Sequence, residues 1–296
     1  MPEWLITFPE LNRETLRAMR RSLDEGYRGF SRTFGESIEN FFDPLLAFLV
    51  WFERLLLASP WWLVLIALGA IAFGASRSVK MVAGVVAAFA VIGVLGMWED
   101  TMRTLAIICV CTVIAVAIGL PIGIAMSRSD RTQGAILPIL DVMQTMPIFV
   151  YLIPVVMLLG LGKVPGVIAV VVYALPPVIR LTNLGIRLVD KDILEATDAF
   201  GAGSWQRLVS VQLPLALPNI MAGVNQTIML ALSMVVIASM IGVKGLGQPV
   251  LQAVTNQYFA LGLFNGAAVV ALAIVFDRVS QNYGRRLQRH RQIISS

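Results

Sequence analysis

Charge is what this chain has least of. Only 14 % of its 296 residues are Asp, Glu, Lys or Arg, against 57 % hydrophobic. A soluble domain carries about 25 % charged and roughly 45–50 % apolar residues. These charges are too few to cover a soluble globule of this size, and the mean hydropathy is +0.79. The balance points to an integral membrane protein and excludes a secreted, fibrous or disordered one. Cysteine is nearly absent: Cys109 and Cys111 lie two apart in an apolar run. On a helix that spacing turns them to different faces, so neither a disulfide nor a metal pair is expected. The single histidine, His290, sits in a polar tail. Without clustered His, Cys or carboxylates no metal site or metal enzyme is expected. A GxxxxGK[ST] phosphate loop is missing too; Gly160-Leu-Gly-Lys163 has the wrong spacing. The chain is therefore expected neither to hydrolyse ATP by itself nor to bind a cofactor. Its opening residues, with acidic groups and no basic n-region, do not read as a cleavable signal.

What the sequence has in abundance is apolar runs. A spanning helix needs roughly 20 mostly apolar residues. Candidates lie near 60–75, 81–97, 104–126, 136–160, 164–184, 218–242 and 262–278. The expected fold is all-α: a polytopic membrane protein of about seven transmembrane helices. It divides into an N-terminal tail with an amphipathic, interfacial helix (1–59), a membrane domain (60–280) and a basic C-terminal tail (281–296). The net charge of +5 then describes topology, not nucleic-acid binding, because basic residues mark cytoplasmic loops. With the C-terminus inside, Arg77, Lys80, Arg128, Arg131, Arg180, Arg187, Lys191, Arg207, Arg278, Arg285, Arg286, Arg289 and Arg291 all fall in the cytoplasm. Only Arg103, Lys163 and Lys244 fall on the opposite side. Seven spans then put the N-terminus in the periplasm. Segment 44–58 is apolar but short, and Glu53-Arg54 interrupts it. It reads as a helix lying on the periplasmic interface; the alternative is an eighth span.

One polar interruption, about 185–217, stays in the cytoplasm and reads as two short helices. Asp192-Ile-Leu-Glu195 resembles a capping box. Ile193, Ala196, Thr197 and Phe200 recur at helical spacing as one apolar stripe. Gly201 suits the left-handed stop of the first helix, Ser204 the cap of the second, and Pro214 its end. On the residues alone two readings stand: a loop packed on its own spans, or a knob whose stripe docks in a partner's groove.

Glu195-Ala196-Thr197, then Gly201, then Val211-Gln-Leu213-Pro214 resemble the EAA motif of ABC importer permeases, with Thr197 and Val211 as mild departures. Leu140 to Pro154, Tyr173 to Thr182 and Gly223 to Ser239 are similar to permease subunits of the glycine betaine/proline betaine importers, which also carry choline-type compounds. The similarity runs from about 60 to 280. It implies the type I ABC importer permease core in a bacterial inner membrane. It also implies a homodimer of this subunit, two copies of a cytosolic ABC ATPase that hold ATP and Mg, and a periplasmic substrate-binding protein. In that scheme Glu195, Ala196, Thr197, Phe200, Gly201, Leu213 and Pro214 form the ATPase-coupling element. Glu195 and Gly201 would set its turn and Ala196 permit close approach. The implied cargo is a betaine-like solute; choline, trimethylamine N-oxide and carnitine are the rivals within the class.

Polar residues inside spans are costly and face partners or a water-filled path. Gln144, Asn225, Gln226 and Ser233 are candidates for a substrate path, with Tyr151 and Tyr173 as its aromatic members. Helix-to-helix bonding, or interfacial anchoring for the tyrosines, is the competing reading of each. Asp141 is expected to pair with Arg128 or Arg131. An ion-coupled carrier, a different class, would need inverted repeats and buried charge relays; neither is visible.

Overall fold

The computed structural model describes residues 11–292, with side chains described through Gly284. The basic tail's Arg285, Arg286, Arg289 and Arg291, with His290, lie outside the described side chains. Residues 1–10 lie outside the described structure. Among the described residues there is no strand. The helices are α1 (Arg13–Ala58), α2 (Trp61–Ser76), α3 (Val79–Val94), α4 (Trp98–Arg128), α5 (Asp130–Thr145) and α6 (Ile148–Leu159). They continue as α7 (Lys163–Arg187), α8 (Lys191–Ala199), α9 (Ser204–Arg207), α10 (Leu213–Ala238), α11 (Gly247–Asn256) and α12 (Phe259–Gln292).

Every apolar run of the sequence is helical, but the runs do not all cross alone. Among the described residues, α4, α7, the stretch Ser204–Ile241 and Phe259–Gly284 are long and apolar enough to span. Two further pairs pass that test only together and are sharply bent, α1 with α2 by 112° and α5 with α6 by 97°. Counting each pair as one span gives up to six; α3 is apolar but short. The run 136–160, expected as a single span, is therefore two helices. Pro147 explains the break: it offers no N–H to the turn before it and forces Met146 into extended backbone (ψ 134°).

The N-terminal region departs further from expectation. Instead of a polar tail followed by a short apolar element, a single 46-residue helix runs from Arg13 through Pro44 to Ala58. Asn12 caps it by accepting from the Glu14 amide. The helix does not continue into α2 but turns away at Ser59-Pro60. Leu49 is fully buried in the main core, and the Tyr27 hydroxyl donates to the Pro154 carbonyl of α6. Glu53 is only 7 % exposed. Its carboxylate meets Lys163 Nζ at 2.6 Å and Arg103 Nε at 3.9 Å, fastening α1 to the starts of α7 and α4. Two of the three cations sorted to the far side of the membrane thus converge on one glutamate.

The core is built around α7, with α4 on one flank and α10 on the other. Without a hydrophobic drive between lipid-embedded helices, small residues that let backbones approach do this work. At Gly123 of α4, an added Cβ would lie 2.6 Å from Thr182 Cβ and 2.8 Å from the Ile179 carbonyl oxygen of α7. Backbone cannot yield as a flexible side chain can. Gly123→Ala is expected to destabilise the subunit by about 1–3 kcal/mol, read as a lower unfolding midpoint of the detergent-solubilised protein. An unchanged midpoint would show that the two helices separate freely.

Candidate functional site

The polar interruption folds as a short hairpin at the end of the long helices. The cap of its first helix, α8, lies two residues before the expected one: Asp190, not Asp192, accepts from the backbone N–H of Asp192. Either aspartate satisfies the local pattern, and the chain direction out of α7 selects the earlier one. The stop is as expected. Gly201 takes φ +77°. Its N–H donates to the Asp198 carbonyl and that of Ala202 to the Thr197 carbonyl, the paired bonds of a Schellman closure.

The second half is not as expected. Gly203 occupies the N-cap of α9 and Ser204 makes no capping hydrogen bond. Pro214 does not end the helix either. The chain passes from α9 through a π-helical turn, Leu208–Gln212, into α10, with Pro214 in the first turn. A proline ring clashes with the carbonyl four residues back, and the wider π turn relieves that clash just where it would fall. Leu213 packs against the small cluster of Ile186, Leu208, Ala216 and Ile220, so the motif's Leu-Pro end is its root in the membrane domain.

The other end stands clear. No residue of α8 is buried. Ile193, Ala196 and Phe200 are exposed and Thr197 is half-buried. Phe200 is 93 % exposed and Trp205, on α9, 70 %. The loop is therefore not packed down on its own spans. Asp198 accepts from Arg207 Nη1 at 2.6 Å, bracing α8 against α9. Arg187 at the end of α7 reaches Asp130 at 2.7 Å and the Met126 carbonyl at 2.9 Å. Glu195 is exposed on the outer surface. Trp205 and Asp198 were not among the expected site residues, and Arg207 was read only as a topology signal; their place within the 185–217 interruption was the one hint of a role.

The path candidates separate into groups. Tyr151 on α6 and Tyr173 on α7 come together, with ring centroids 6.2 Å apart in a T-shaped arrangement. Tyr151 is buried, and its hydroxyl has no partner among the described residues. Gln226 and Ser233, seven residues apart on α10, are both exposed on one stripe with Met240. Gln144 is exposed on α5. Asn225 faces elsewhere: its amide donates to Asp277 Oδ1 at 2.9 Å, and its carbonyl oxygen accepts from Ser280 at 2.5 Å. That network ties α10 to α12, so the asparagine is engaged in helix bonding. Asp277, at the edge of the last apolar run, is a second acid beside Asp141 that the sequence reading passed over. Asp141 itself pairs with Arg180 of α7 at 2.5 Å, not with Arg128 or Arg131, because α5 packs against α7. Among the described residues, no group of three or more His, Cys, Asp and Glu is placed to hold a metal ion.

A family profile described as "Binding-protein-dependent transport system inner membrane component" matches residues 115–289. Over 234 residues the chain is 50 % identical to the glycine betaine/proline betaine transport system permease protein ProW of Escherichia coli (strain K12), covering 79 % of this chain and 66 % of that protein. It is 46 % identical over 232 residues to the glycine betaine/carnitine transport permease protein GbuB of Listeria monocytogenes serotype 1/2a (strain 10403S), covering 77 % of this chain and 82 % of that one. The chain thus spans just under two thirds of ProW. The fold resembles an inward-facing MetNI methionine ABC transporter structure, with a TM-score of 0.57 at 20 % identity over 62 % of this chain and 93 % of the other. With the profile covering more than half of its length, the chain belongs to the binding-protein-dependent transport system inner membrane components.

Proposed function

We propose that this subunit carries a betaine-like compatible solute, such as glycine betaine or proline betaine, across the inner membrane, driven by ATP hydrolysis in a separate subunit. The observation that carries the reading is the free-standing hairpin. It presents Phe200 and Trp205 to solvent while Leu213 and Pro214 root it in α10. Two large aromatic side chains exposed within six residues of each other support a contact surface for a partner. That partner is a cytosolic ATPase with a groove for α8. Glu195, Ala196 and Thr197 belong to the contact, and Gly201 holds its shape.

The assembly we infer has two copies of this subunit, two ATPases that hold ATP and Mg, and a periplasmic substrate-binding protein. The C-terminus lies in the cytoplasm with the hairpin, and the N-terminus on the periplasmic side. The meeting of Arg103 and Lys163 with Glu53 supports this, because it gathers far-side charges at one end while Arg187 and Arg207 brace the other. The 112° bend between α1 and α2 supports a course of α1 along the interface. Gln226 and Ser233 on the open stripe of α10, Gln144 on α5, and the Tyr151–Tyr173 pair line the solute's route; Asn225 supports it by holding α10 to α12. Carnitine stays a second reading because GbuB's name includes it. Membership of a binding-protein-dependent family removes the support for an ion-coupled carrier.

The test is co-reconstitution with the cognate ATPase and binding protein in liposomes. ATP-dependent uptake of labelled glycine betaine is expected, and none without the ATPase. Uptake that persists without ATPase would overturn the coupling. A binding protein that ignores betaines, carnitine, choline and trimethylamine N-oxide on titration would overturn the substrate class.

A further inference from the structure

Between α3 and α12 runs an open apolar groove of about 290 Å³. Its floor includes Gly84 and Ala88 of α3 with Ala271 and Ile274 of α12. At one end, and only there, its lining is charged: Lys80 on α3 and Arg278 on α12. The two helices run antiparallel, yet place their cations at the same mouth. Both side chains are exposed, and neither has an ion-pair partner among the described residues. The cations braced elsewhere (Arg103, Lys163, Arg180, Arg187 and Arg207) each face a carboxylate. The neighbouring acid, Asp277, accepts from Asn225 and Gln281 instead. Arg77, in the turn joining α2 to α3, adds a third exposed cation to the same stretch of chain.

We propose that this groove is a site for one anionic phospholipid, its phosphate held by Lys80 and Arg278 and an acyl chain lying between α3 and α12. Basic pockets at the cytoplasmic end of helix pairs recognise such headgroups. The dimensions agree. From Lys80 to Ala88, and from Arg278 back to Ala271, a helix rises about 10–12 Å. That is most of the roughly 15 Å depth of one leaflet. Glycine and alanine on α3 leave the groove open enough for a chain to lie in it, and the two cations at its mouth select negative charge. The leaflet is the cytoplasmic one if the orientation proposed above holds, but lipid binding itself does not depend on it.

The experiment uses the purified full-length subunit and two lipids of identical acyl chains, phosphatidylglycerol and phosphatidylcholine, with retained lipid counted by native mass spectrometry. The wild type is expected to hold one phosphatidylglycerol in preference to phosphatidylcholine. At about a five-fold contribution per basic residue, Lys80→Gln with Arg278→Gln should weaken phosphatidylglycerol about thirty-fold and leave phosphatidylcholine unchanged. Both positions are exposed, so the exchange does not disturb packing. Gly84→Leu, where an added Cβ meets open space, should fill the groove and displace both lipids with the charges intact. Ala88→Leu is the substitute if that variant fails to fold.

Unchanged phosphatidylglycerol retention in the double glutamine variant would overturn the headgroup site. Loss of lipid with the charges, but none with Gly84→Leu or Ala88→Leu, would overturn the groove and leave only surface attraction. Conversion of a dimer to a monomer by Gly84→Leu, with lipid retention unchanged, would make the groove a contact between copies of the chain and overturn the proposal.

Discussion

Replacing Phe200 by aspartate is expected to lower ATP-dependent solute uptake by about 30- to 1000-fold. Aromatic anchors that fill a partner's pocket contribute about 2–4 kcal/mol each, and a charge in their place also has to be desolvated. Phe200 is 93 % exposed, so the subunit's own fold loses nothing. Its unfolding midpoint should stay within the small range typical of surface substitutions. The measurement is uptake by proteoliposomes beside co-purification of the ATPase, which should be lost in parallel. Gly201→Val tests the same element through the backbone. A β-branched residue at φ +77° strains the turn by about 1–2 kcal/mol, so a smaller loss of coupling is expected. Full ATP-driven uptake by the aspartate variant would remove α8 as the coupling element.

Glu53→Ala is expected to cost the subunit about 2–3 kcal/mol and to loosen α1. The carboxylate's side chain is 10 % exposed, and its partner Lys163 is 29 % exposed. Removing one member of a buried pair typically costs 3–5 kcal/mol; the partial exposure of the lysine lowers that, because its long stem lets the ammonium reach water. Arg103 is not stranded, since Glu99 and Asp100 lie within 3.1 Å and 3.0 Å of it. Lys163 is stranded. As the first residue of α7 it also stands at the positive end of a helix dipole, where a cation is unfavourable without a counter-charge. The check is the unfolding midpoint together with limited proteolysis, which should cut within α1 faster in the variant. Removing both charges, as Glu53→Leu with Lys163→Met, should recover most of the loss, because an apolar pair leaves no buried charge unmatched. Equal proteolysis of the wild type and the alanine variant would show that α1 is held by its apolar contacts alone.

Legibility followed the range of the interactions involved. The apolar runs could be read because the bilayer demands about 20 apolar residues wherever a helix crosses, whatever the rest of the chain does. Gly201 could be read because a helix stop is local. Asp190 was missed because two aspartates two residues apart offer the same chemistry, and only the exit direction of α7 chooses between them. Pro214 was misread as a stop because proline's clash is local, while the π turn that absorbs it is set by packing Leu208 and Leu213 into the cluster with Ile186 and Ile220. Among the path candidates, Gln226 and Ser233 lie on one stripe as their spacing implied. Asn225 instead bonds Asp277, 52 residues away, and no helical periodicity connects those positions.

By itself, then, the sequence determined the solvent this protein lives in, the approximate place of each apolar helix and the one stretch that the bilayer did not require. All three follow from composition and short-range spacing. Tertiary structure decided the rest: the bend between α5 and α6, the 46-residue course of α1, and the closure of Lys163 on Glu53 across 110 residues. It also decided that the hairpin of α8 and α9 stands free. Whether an amphipathic stripe lies down on its own spans or projects from them depends on surfaces distant in sequence. Here Asp198 and Arg207 brace the hairpin within itself, and Phe200 is left for a partner to cover.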